Sequence, residues 1–184
     1  MTEGFIPPHG GYKNLITYKK AEIIFDATIC FCKRFLSKRD RTYDQMVQAS
    51  RSGKQNIAEG SQMSGTSKST EIKLINVARS SLEELLKDYH DFLRTNELLL
   101  WEKDSKAAKA VRALAYKSKE SYETYKPYIE ERSAGTVANI IICLIHQTTY
   151  LLDRQIYHLE KEFIKDGGIR ERMHKSRNKN RSKD

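Results

Sequence analysis

Residues 51–61 read RSGKQNIAEGS, inside a run whose flanks are patterned as a helix. Two glycines, an asparagine and a glutamate suit neither a helix interior nor an apolar core. At about 100° per residue, Ala49, Gly53, Asn56 and Gly60 fall on one narrow stripe. Met46 and Ile57 flank it on one side, and Gln45, Ser52 and Glu59 on the other; Arg51, Lys54, Gln55 and Ala58 point away. Glycine costs about 1 kcal/mol against alanine in a helix interior. The expected offset is close approach of another helix backbone, with the steric spacer removed. Buried polar atoms on that face then need partners. In an antiparallel hairpin with the next helix, Ser52 lies level with Asn76 and Ala49 with Arg79. Glu59 comes near that helix's first turn, whose free N–H groups attract a carboxylate. The reading is a structural polar seam of Ser52, Asn56, Glu59, Asn76 and Arg79. The alternative is that these residues face solvent.

Outward from this stretch the chain reads as helix almost throughout. Residues 4–14, GFIPPHGGYKN, predict an extended lead-in, because proline disfavours helix for the residue before it. From 15 to 35, Tyr18, Ala21, Ile24, Phe25, Thr28, Phe31, Cys32 and Phe35 recur at steps of three and four, one face of a helix. A second helix is expected over 43–60. Residues 60–67, GSQMSGTS, turn the chain, with Gly60 or Gly65 as stops and Ser67 as N-cap. The third helix, 67–94, has the clearest periodicity: Ile72, Ile75, Ala78, Leu82, Leu85, Leu86, Tyr89, Phe92 and Leu93. Residues 103–130 read as one additional helical unit, and 136–163 as the last long helix. No alternating strand pattern of any length occurs. The expected fold is all-α: an antiparallel up-down four-helix bundle (residues 1–166), with an extra helix inserted at about 97–133.

Charge is unevenly placed. The net charge is +9, and residues 167–184 carry seven bases against two acids, a net of +5. That segment opens with Gly167 and Gly168 and has almost no apolar content, so it is expected to be a disordered basic tail. It serves either as a solubilising tail or as an arm that neutralises phosphates. Candidate nucleic-acid contacts are Lys33, Arg34, Lys38, Arg39 and Arg41 at the first helix connection, and Arg51 and Lys54 on the second helix. In the tail they are Arg170, Arg172, Lys175, Arg177, Lys179 and Arg181. Residues 116–128, YKSKESYETYKPY, interleave aromatics with lysines as a single-strand stacking platform does. Tyr122 and Tyr125 also share a stripe with Val111 and Ile129, which favours core packing.

No secretory leader is visible, and VANIIICLI, the most apolar segment, is too short to span a bilayer. Cys30, Cys32 and Cys143 lack metal spacing and read as reduced thiols. A cytoplasmic location without membrane contact is expected. HExxH, P-loop, GxGxxG and GxSxG patterns are absent, as are paired ExxH signatures. Histidines 9, 90, 146, 158 and 174 are scattered. These features point away from an enzyme, and no metal or cofactor is expected.

QMVQASRSGKQNIAEGSQMSG followed by STEIKLINVARSSLEELLKDYHDFL resembles a bacterial four-helix-bundle family. The family includes proteins encoded in intervening sequences of large-subunit ribosomal RNA genes. It also includes the accessory variability determinant (Avd) of diversity-generating retroelements. The positions that carry the resemblance include Gln45, Ala49, Ser52, Asn56, Glu59, Gly60, Glu71, Ala78, Ser81, Leu82, Glu84 and Leu85. YKNLITYKKAEIIFDAT matches the family's first helix, and FIPPHGGYKNL is most similar to its four helix bundle suffix branch. The resemblance implies a ring-like homopentamer. In the Avd branch it implies a basic surface that binds nucleic acid, RNA or DNA, and a reverse transcriptase. The insertion and the basic tail depart from the short members. The competing expectation is a protein-interaction and oligomerisation scaffold that does not bind nucleic acid.

Overall fold

The computed structural model describes residues 6, 9–116 and 120–181. The fold is all-helical, with no strand among the described residues. A 3-10 turn, Tyr12–Asn14, leads into α1 (Ile16–Phe35), α2 (Arg41–Met63) and α3 (Lys68–Thr95). After these come the short α4 (Lys106–Leu114) and α5 (Tyr122–Glu131), then α6 (Ala134–Asp166) and α7 (Ile169–Arg181). Short polar side chains start several of these helices by accepting a first-turn N–H. Asp40 accepts from Thr42 N (2.9 Å), Ser67 from Thr70 N (3.3 Å) and Ser105 from Ala108 N (3.2 Å). Gly167, at φ 70°, ends α6.

The long helices pack α1 on α2, α2 on α3, α3 on α6 and α6 on α1. Their apolar stripes close over one core that includes Ile24, Phe31, Met46, Ile57, Leu82, Leu85, Ile141 and Leu144. Toward the C-terminal ends of α1 and α3, Phe31 meets Tyr89 and Phe92 edge-on, at 5.0 and 4.9 Å between centroids, and the Tyr89 hydroxyl donates to Thr28 Oγ1 at 3.1 Å. Burial of such side chains at about 25 cal/mol per Å2 is the main stabilising term. The α6 helix is long and apolar enough to cross a membrane by length and composition, unlike the nine-residue segment read alone. In this fold 61% of its most apolar stretch is buried.

Four expectations are corrected. First, the unit at 103–130 is two short helices rather than one. They pack on α6 and α1 through Val111, Tyr125 and Ile129. Second, residues 169–181 form helix α7 rather than a disordered tail. Its first turn is organised by Glu171, whose carboxylate accepts from Gly168 N at 2.8 Å. Third, α2 does not stop at Gly60 but runs to Met63, which shifts its register against α3. Fourth, Ala58, expected to point away, is buried.

Candidate nucleic-acid interface

The seam on α2 is a close approach within the chain. A Cβ on Gly53 would lie 2.8 Å from Leu82 Cδ2, and one on Gly60 would lie 3.1 Å from Ile75 Cδ1. These contacts make α2 and α3 antiparallel neighbours. Ser52 Oγ lies 2.9 Å from Ser81 Oγ, and Asn56 donates to Ser52 O (2.9 Å) and Ser52 Oγ (3.1 Å). Ser81 thus takes the place expected of Asn76, which is exposed. Arg79 pairs instead with Asp153 of α6 at 3.4 Å, and Glu59 is exposed. The carboxylate in the first turn of α3 is Glu71, buried and 3.0 Å from Lys68. Burial raises its pKa, against the opposing pull of Lys68.

The basic residues divide by what their side chains touch. Lys33, Lys38 and Arg39, at the α1–α2 connection, are exposed and form no ion pair among the described residues. Arg34 is occupied: its guanidinium donates to Ile129 O and, at 3.0 Å, to Arg132 O, and so holds the end of α5. Arg41 lines a groove of about 650 Å3 with Asp44, Glu84 and Asp88. Three carboxylates lining the same groove as one guanidinium make it a poor seat for phosphate. Burial, with Asp91 and Glu84 nearby, raises the Asp88 pKa. Arg51 is exposed, whereas Lys54 lies 4.1 Å above the Phe25 ring, half-buried between α1 and α2.

On α7, Arg170, Lys175 and Arg177 are exposed. Arg172 reaches back and donates to Gly65 O at 3.1 Å. The side chains of Lys179 and Arg181 lie outside the described residues, as do residues 117–119 of the aromatic-lysine stretch. Within that stretch Tyr125 is fully buried, whereas Tyr116 is 91% exposed. Of the exposed candidates, Lys33, Lys38 and Arg39 lie toward the start of α2, Arg51 stands in its middle, and the cations of α7 follow from its far end. The first three sit by Arg41, and α7 is anchored beside the α2–α3 turn, about 33 Å away at 1.5 Å per residue.

A buried polar cluster escaped the sequence reading. Lys20, 5% exposed, donates to Glu120 Oε1 and Gln147 Oε1, both at 2.9 Å, and the Tyr125 hydroxyl donates to Glu120. It ties α1 and α6 to the segment before α5. Lys20 stands on the buried face of α1, a local signal, but Glu120 is a hundred residues away and no spacing rule links them. No group of three His, Cys, Asp or Glu residues that could hold a metal occurs among the described residues. Burial raises the Cys32 thiol to about 12, with Asp88 adding to it. No family model, curated protein or solved structure matches the chain.

Proposed function

We propose that the chain is a non-catalytic, homo-oligomeric nucleic-acid-binding protein of the cytoplasm, similar in role to the Avd branch of the family it resembles. In this reading α1, α2, α3 and α6 are the antiparallel four-helix bundle, α4 and α5 are its insertion, and α7 carries the basic extension. The cyclic packing of the long helices supports that topology. One observation carries the function. Lys33, Lys38, Arg39, Arg51, Arg170, Lys175 and Arg177 are exposed and form no ion pair among the described residues of a +9 chain. Unpaired cations release counterions from a phosphate backbone, whereas ion-paired ones contribute little.

The test is fluorescence anisotropy with single-stranded RNA and duplex DNA, titrated between about 50 and 200 mM salt. Seven phosphate contacts to a single strand give a log–log slope near −5. Removal of residues 167–184 reduces that slope by at least about 2. An absence of binding at low salt defeats the reading. The scaffold alternative is supported by Ile16, Tyr157 and Ile164, apolar and exposed, where α1 begins and α6 ends. It requires that the particle mass in light scattering exceed one chain while RNA affinity is nil.

A further inference from the structure

A cavity of about 540 Å3 opens between α3, residues 100–103, α4 and α6. Its volume lies in the range of pockets that hold small organic molecules. Leu100, Trp101, Ile142 and Cys143 supply apolar wall, and no Asp or Glu lines it. Two buried polar atoms of lining residues, His90 Nε2 and Gln147 Nε2, have no hydrogen-bond partner. A buried donor left unsatisfied costs about 1–3 kcal/mol. The Gln147 amide has one sensible orientation, because its oxygen accepts from Lys20. Its N–H2 group is therefore left over as a donor. Arg112 and Lys103 also line the cavity, and neither has a carboxylate partner among the described residues. The Arg112 charge acts on Cys143, one turn of α6 before Gln147, so guanidinium and amide address the same stretch of wall.

We propose that this cavity binds a small amphipathic monoanion, an aliphatic or aromatic carboxylate. The apolar body lies along Trp101 and Ile142. The carboxylate is held by charge-assisted hydrogen bonds from Arg112 and by the free amide of Gln147, with Lys103 adding positive potential at the mouth. This site does not overlap the exposed cations assigned to nucleic acid, so either assignment can fail without the other.

The experiment titrates the full chain with decanoate by calorimetry, with acetate as a head-group control. Alkylation of Cys143 by iodoacetamide is followed in parallel by peptide mass spectrometry. Cys30, half-buried beside a different groove with Phe25 and Lys33, is the internal reference. Decanoate is expected to bind one-to-one, acetate not to bind, and Cys143 alone to be protected. Arg112→Gln weakens decanoate binding about tenfold, the loss of one charge-assisted hydrogen bond. Lys103→Gln, at an exposed position, weakens it by a smaller factor and provides the reading if Arg112→Gln does not fold. The proposal is overturned by unprotected Cys143, by equal protection of Cys30, by many weak sites, by absent binding, or by affinity indifferent to both substitutions.

Discussion

At the scale of single residues, the glycines of α2 separate two uses of the same side-chain absence. Gly53→Ala recovers about 1 kcal/mol of helix propensity but forces the Leu82 side chain aside, at an overpacking cost of about 1–3 kcal/mol. The expected net is a loss of up to about 2 kcal/mol, seen as a lower urea midpoint. Gly60→Ala has a looser fit, its closest contact being Ile75 Cδ1 at 3.1 Å, and should leave the midpoint near wild type or above it. The stripe was legible in the sequence because a glycine in a helix signals a local cost that packing must offset. The Lys20–Glu120 pair was not, since nothing local announces a partner a hundred residues on. Lys20→Met strands a buried carboxylate and should cost about 3–5 kcal/mol, whereas Lys20→Met with Glu120→Leu should recover most of it. His146 gives a pH signature. Burial, with His90 beside it and Glu83 opposing, lowers its pKa below 6.5. The unfolded chain then takes up a proton below pH 6.5 that the folded chain refuses, so stability falls as the solution is acidified. His146→Gln should flatten this part of the stability–pH curve in denaturant titrations.

Among the elements, helix identity was readable from periodicity and register was not. Residues 15–35, 67–94 and 136–163 each hold an unbroken apolar stripe, and each became a helix with ends moved by three residues or fewer. The α2–α3 register differs from the expected one because α2 runs past Gly60, one of the two expected stops. In the fold Gly60 is a contact point covered by Ile75, so the helix continues to Met63 and Ser52 meets Ser81 rather than Asn76. The 103–130 region, with its weaker stripe, was read as one unit where Ser105 and Ser121 each precede a separate short helix. The link into it is held by Asn139, buried in α6, which accepts from Trp101 N (2.7 Å) and donates to Leu99 O and Gly135 O (both 2.8 Å). Asn139→Leu should cost about 1–3 kcal/mol by leaving those backbone groups unpaired. Hydrogen exchange should report it first at the Trp101 amide.

For the whole molecule, net charge was legible from composition, but its partition was not. Composition cannot show that Arg34 and Arg172 spend their donors on backbone carbonyls, or that Arg41 shares a groove with three acids. Lys38 and Arg39 at one end of α2 lie about 33 Å from the end where Arg172 is anchored, several times the Debye length of about 8 Å at physiological salt. Neutralising Lys38 and Arg39 to Gln and deleting residues 167–184 should therefore reduce RNA affinity additively in free energy. Strong coupling between the two changes would mean that the two ends act as one site. The same end of the fold receives both flanks of the chain. Gly10 exchanges hydrogen bonds with Ser61, and Arg172 grasps the carbonyl of Gly65. Dyes placed at His9 and Met173 would sit near enough for efficient energy transfer. Joined between His9 and Met173 and re-opened at the exposed Lys38, the chain would need only a short bridge to keep α1 through α6 in place, and labels on those two residues would sit at the same pole.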